Sequence, residues 1–109
     1  MTVKELSQAL NCTVVCMPDG EREVTGGYCG DLLSWVMGNA NSGNLWITIM
    51  SNINIVAVAT LTDISCIVLA EGVSPDADAL NTAESKGINI LSTSMSSYDT
   101  AVSVSRLIK

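Results

Sequence analysis

The side chains that most often carry protein chemistry are scarce in this chain. It has four cysteines and no histidine, and Cys12 and Cys16 stand four apart while Cys29 and Cys66 are isolated. No Cys-x-x-Cys pair occurs, so the usual zinc spacings are missing. The leading expectation is small buried or half-buried thiols in a reducing compartment. A metal or iron–sulfur site on Cys12 and Cys16 is the alternative. Without histidine, general-base work would fall to a carboxylate, and no two carboxylates form a recognisable pair. The phosphate-cradling G-x-x-x-x-G-K-[ST] loop is also missing, which excludes phosphoryl transfer by that device. The expectation is a chain with no catalytic residues and no cofactor.

Two segments carry groups suited to holding a small ligand. The first is Thr25-Gly26-Gly27-Tyr28-Cys29-Gly30-Asp31. Glycines at 26, 27 and 30 permit positive φ and could turn backbone N–H groups towards an anion at the mouth of a following helix. Arg22 is the nearby cation. Asp31 in the cap position would occupy those N–H groups and repel a phosphate, so a tight bend without a ligand leads. The second segment, Ser92-Thr93-Ser94, offers hydroxyls that either bind a ligand or cap the last helix. The candidate ligand set is therefore Arg22, Thr25, Gly26, Gly27, Gly30, Ser92, Thr93 and Ser94.

The elements that must position these groups alternate along the chain. Thr2-Val3-Lys4-Glu5 has the form of a capping box and opens a helix with Leu6, Ala9 and Leu10 on one face, ended by Asn11. Thr13 to Met17 reads as a strand buried on both faces, followed by a Pro18-Asp19-Gly20 turn. A helix from Asp31 to Gly38, capped by Asp31, follows the glycine bend. Leu45 to Met50 is a strand. Asn54 to Asp63 is ambiguous, but a strand at Cys66 to Ala70 follows at once, which favours a helix with Ile53, Val56, Ala57, Thr60 and Leu61 inward. Ser74-Pro75-Asp76 starts another helix, and Gly87 stops it. A short strand at Ile88 to Leu91 precedes a last helix facing inward through Tyr98, Ala101, Val102 and Ser105. This order predicts one α/β domain over residues 1–109: three layers, α/β/α, around a parallel or mixed sheet of four to five strands. Strand ends then place Ser51, Glu71-Gly72 and Ser92-Thr93-Ser94 along one edge, where open sheets usually bind ligands.

Eleven acids against five bases give a net charge of −6, and Lys4, Arg22, Lys86, Arg106 and Lys109 are scattered. Nucleic acids and anionic membranes are not expected partners, because both need clustered cations. The longest apolar run, Ile55 to Ala59, is far below the roughly 20 residues of a membrane span. With nothing like a signal peptide after Met1, the default location is the cytoplasm. Partner contacts are argued best from the Asp31–Gly38 helix. Leu32, Leu33, Trp35, Val36 and Met37 leave Ser34 as its single polar residue before Gly38, wider than the stripe a surface helix needs. Either a partner chain takes one side, with Trp35 as anchor, or two layers of the domain cover it.

The blocks Thr25-Gly26-Gly27, Gly30-Asp31-Leu32-Leu33-Ser34, Asn54-Ile55-Val56-Ala57-Val58-Ala59 and Gly87-Ile88-Asn89-Ile90-Leu91 together resemble the DRTGG-domain family. Glu23 and Val24 stand where the family's eponymous motif has Asp and Arg, so a role for that pair does not carry over. The resemblance implies a fold similar to the N-terminal domain of HPr kinase/phosphorylase. It also implies a regulatory or dimer-forming role, as in domains found beside nucleotide-binding CBS domains of pyrophosphatases, within phosphotransacetylases, or near iron-only hydrogenase subunits. The expected function is a non-catalytic regulatory or assembly module, homodimeric and able to enter a larger complex. The alternatives are an adenine-nucleotide sensor and, behind it, a redox or metal accessory protein of a hydrogenase-type complex.

Overall fold

Residues 1–108 are described by a computed structural model. The elements run α1 (Val3–Ala9), β1 (Thr13–Cys16), β2 (Gly26–Cys29), α2 (Leu33–Asn39), β3 (Asn44–Thr48), α3 (Asn54–Thr62), β4 (Cys66–Leu69), α4 (Ala77–Lys86), β5 (Ile90–Ser92) and α5 (Ser97–Leu107). The sheet order is β1-β5-β4-β3-β2. Strands β2, β3, β4 and β5 are parallel, and β1 joins β5 antiparallel. The predicted mixed sheet in an α/β fold is what the chain forms. Each parallel crossover carries a helix, which covers the sheet with apolar side chains.

Two cores lie on the two sheet faces. On one, Val36 of α2, Ile55 and Val56 of α3 and Ala79 and Ala83 of α4 pack with Trp46, Ile67 and Leu69. On the other, Val3 and Leu6 of α1 and Val104 of α5 pack with Leu45, Val68 and Leu91. Every residue of the inner strands β3 and β4 is buried, which explains their near-continuous apolar runs.

Local signals hold where nothing tertiary competes. The capping box forms as expected: Glu5 N–H donates to Thr2 Oγ1 at 3.1 Å, and Thr2 N–H to Glu5 Oε1 at 2.8 Å. Those Thr2 bonds hold the Glu5 carboxyl below its ordinary range. Gly87 ends α4 at φ 74°, the left-handed region where glycine is favoured.

Several expectations are corrected. Strand β1 is an edge strand with Thr13 and Val14 exposed, not a strand buried on both faces. Gly26 to Cys29 is not a bend but the other edge strand, and none of Gly26, Gly27 and Gly30 has positive φ. Helix α3 buries Ile55, Val56, Val58 and Ala59 and leaves Ile53, Ala57, Thr60 and Leu61 outward. Its run is apolar all round, so periodicity could not choose the face. Asp76, not Ser74, is the first cap of α4, which begins at Ala77. Helix α5 is capped by Ser96, whose side chain accepts from Asp99 N–H, and it buries Thr100 and Val104 while Tyr98 points to solvent.

Candidate functional site

Helix α2 spans only seven residues and packs on one side. Val36 is fully buried and Leu33 half-buried, three apart on the inner face. Leu32 is 61% exposed, Trp35 63% and Met37 46%. The two possibilities for this helix are thus separated: the domain covers Val36 and leaves Trp35 bare. Of the five expected interface residues, three are outward and two are core. Asn39 Nδ2 donates to the Trp35 carbonyl at 2.9 Å, closing the last turn of the helix. Together Leu32, Trp35 and Met37 put three large apolar side chains outward on one short helix, and exposed apolar patches with Trp are typical of contact surfaces.

The turn that delivers α2 is pinned to the sheet. Asp31 does not cap the helix, whose cap position is Leu32 with no side-chain bond. Its Oδ1 instead accepts from Thr48 Oγ1 at 2.8 Å and from Ile49 N–H at 3.0 Å. Trp46, wholly buried in β3, donates its indole N–H to the Gly30 carbonyl at 2.9 Å. These three bonds clamp the β2–α2 turn onto the end of β3. The charge pattern around this region is unusual: between Val24 and Thr62 the sole charged residue is Asp31, whereas the chain's fifteen other charged residues lie outside that stretch. The stretch forms β2, α2, β3 and α3.

The candidate ligand residues fall at two ends of the sheet. Thr25 and Gly26 lie where β2 begins, and Thr25 N–H donates to the Gly43 carbonyl there at 3.0 Å. Arg22 is tied down at that same end: Nη2 meets Asp63 Oδ1 at 2.8 Å and the Asp63 carbonyl at 2.6 Å. Ser42 and Arg22 together hold the Asp63 carboxyl below its usual range. Gly27 lies within β2. Gly30 and Ser92, Thr93 and Ser94 lie at the carboxyl end, about 13 Å along the strands from Gly26. The structure therefore does not gather the eight residues into one site. The hydroxyls do not cap α5 either: Thr93 Oγ1 accepts from Met95 N–H at 3.2 Å, and Thr93 N–H donates to the Leu69 carbonyl.

Glu71 and Gly72 line the carboxyl edge beside the hydroxyls, where the strand order put them. Glu71 adopts φ 60° there, its N–H donates to the Met95 carbonyl, and Gly72 N–H donates to that of Thr93. With Asp31 and Asp76 nearby in the connections, this rim is acidic. The helix-borne cations Lys86 and Arg106 sit in the last turns of α4 and α5, at the opposite end. The non-glycine φ > 0 at Glu71 had no sequence signal, because it follows from the Ala70–Val73 turn closing onto the β5–α5 loop.

The cysteines do not assemble. Cys16 belongs to one core and Cys12 packs against the other, on opposite sheet faces. No group of three metal-ligating side chains occurs among the described residues. Burial pushes the thiols of Cys12, Cys16, Cys29 and Cys66 upward, Cys66 most of all, so neutral thiol is the favoured form. No described helix is long and apolar enough to cross a membrane.

Comparison with known proteins places this geometry. No curated protein matches the chain. Among solved structures, it is similar to the crystal structure of the CBS and DRTGG domains of the regulatory region of Clostridium perfringens pyrophosphatase, complexed with the activator diadenosine tetraphosphate. The TM-score is 0.72 at 15% identity, over 98% of this chain and 45% of that one, so this chain spans about half of its neighbour's length. At that identity the likeness speaks for the fold. The family profile named DRTGG domain matches residues 5–107, nearly the full length. Val24, which stands where the eponymous motif has Arg, is 3% exposed and packs in the core with α1 and α5. By fold and by profile, the chain belongs to the DRTGG domain family.

Proposed function

We propose that this chain is a non-catalytic regulatory module that acts through protein contacts, and that it pairs with a second copy of itself through α2. The observation that carries this reading is Trp35, 63% exposed with Leu32 and Met37 on a helix whose other side is core. Supporting it, the structurally similar chain is the regulatory region of a larger enzyme. The cysteines' neutral thiols and the lack of histidine argue against turnover. The cytoplasm is the proposed setting, and a larger complex the proposed context. Trp35→Asp tests the reading by light scattering after size exclusion: the parent chain should elute as a dimer and the variant as a folded monomer. Two identical masses would remove α2 as the contact.

A second reading, an adenine-nucleotide sensor, is favoured by the activator in the pyrophosphatase regulatory region. Here Ser92 to Ser94 at the carboxyl edge would form the ligand site, with Gly30 about 14 Å away across β4 and β3, and without Arg22, Thr25, Gly26 or Gly27. The acidic rim at Asp31 and Glu71 disfavours a bare phosphate, so a bound nucleotide would need a divalent cation beside it. Thermal shift with diadenosine tetraphosphate and magnesium is the test. At a hundred times the dissociation constant, ligand should add about 2.7 kcal/mol of stability; no shift would end this reading. A redox or metal role on Cys12 and Cys16 is not carried forward, since their side chains face different layers.

A further inference from the structure

We infer that the open edge of β2 sets the geometry of the self-contact. Two copies would join their β2 strands antiparallel, about a two-fold axis perpendicular to the sheet, into one ten-stranded sheet. This rests on the homodimer reading above and specifies how the two copies meet.

Strand β2 is terminal in the sheet, so its outer side presents backbone N–H and C=O groups to no neighbouring strand among the described residues. Natural edges are commonly blunted by charge, proline or a bulge. The opposite edge follows that rule, for the β1 ladder slips between Val14 and Cys16. The β2 edge does not: Gly26 to Cys29 keep unbroken register with β3 and include no charged residue and no proline. Its glycines also leave the flank open. A groove of about 270 Å³ lies between β2 and α5, lined by Gly27, Cys29, Ile47, Val104 and Ile108. Apolar surface thus borders the strand on both faces of the sheet, with α2 on the other side.

Charge selects the occupant. Each copy carries −6, and acids are spread over the remainder of the chain, so two copies repel wherever those surfaces meet. The β2–α3 stretch is the one long part with a single charge, Asp31, and it contains six exposed large apolar residues: Leu32, Trp35, Met37, Ile49, Ile53 and Leu61. A basic partner would find only Asp31 to pair with there. A second copy meets its own charge-poor face, and antiparallel pairing needs only the strand's own donors and acceptors, as a self-complementary two-fold contact requires. The four-residue edge is short, so pairing fixes register while α2 supplies the buried apolar area. The two-fold brings both α2 helices to one side of the joined sheet.

Amide hydrogen exchange along a dilution series, with mass from sedimentation on the same samples, tests this on the unmodified chain. The expected result is a dimer in which the Thr25–Gly30 segment exchanges about tenfold more slowly than in the diluted monomer. A dimer whose Thr25–Gly30 exchange does not change with dilution would overturn strand pairing and leave the α2 contact standing. A monomer at every concentration would overturn both.

Discussion

Asp31→Ala separates a helix cap from a turn clamp. In the structure the carboxylate accepts from Thr48 Oγ1 and Ile49 N–H, and it makes no cap bond to α2. Bonds to a charged group contribute about 1.5–3 kcal/mol when well shielded. Asp31 and Ile49 are exposed, so roughly half of that applies and the pair of bonds comes to about 2 kcal/mol. For a domain of this size that is a fall in Tm of about 8 °C. Asp31→Asn keeps one acceptor oxygen and should lose about half as much. Urea unfolding followed by circular dichroism measures these differences, provided the slope is unchanged between variants. A double-mutant cycle with Thr48→Val should return a coupling of about 1 kcal/mol, because the two side chains share a bond. Were Asp31 a cap, Asp31→Ser would be nearly neutral and the coupling to Thr48 would vanish. That outcome, or an Asp31→Ala loss below about 0.5 kcal/mol, would refute the clamp.

Other consequences are equally direct. Asn89, 1% exposed, donates to the Asp19 and Ser65 carbonyls and accepts from Asp19 N–H, so Asn89→Ala should cost about 3 kcal/mol in the same urea assay. Gly43 sits at φ 84° with Thr25 Oγ1 where a Cβ would fall, and Gly43→Ala should lose at least about 1 kcal/mol, read as a lower Tm. Alkali should destabilise the fold through Cys66. Its folded pKa is raised by burial, so the unfolded thiol loses its proton first, near pH 8.5, and stability present below that pH is lost as pH rises. Cys66→Ala should flatten the decline between about pH 9 and 10.5 by about 1.4 kcal/mol per pH unit; equal slopes in the two proteins would contradict it.

Much of the architecture was legible because neighbouring residues decide it. The Thr2–Glu5 box, the Gly87 stop and the apolar runs of β3 and β4 depend on short-range chemistry, and each appears where expected. Partners distant in sequence decide the remainder. Gly26 and Gly27 have low strand propensity, and they extend because Asn44 and Leu45 pair with them. Asp31 has cap chemistry, yet Thr48 and Ile49 compete successfully for its oxygens. The phase of α3 was hidden by its uniform apolarity, and sheet order alone turned β1 and β2 into edges. The α2 patch was half visible: its width signalled surplus apolar surface, but Val36 inward and Trp35 outward could be told apart only once the helix lay on the sheet.

The claim beneath the functional account is that two acidic copies meet through a face whose stretch of chain carries a single charge, Asp31. Sedimentation equilibrium at about 20 mM and about 500 mM sodium chloride addresses it, since salt screens repulsion between the surrounding acids and leaves apolar contact intact. The account predicts a dimer whose dissociation constant falls as salt rises. A dimer weakened by salt would mean that opposite charges hold it together, contradicting the account, and so would a monomer at both ionic strengths.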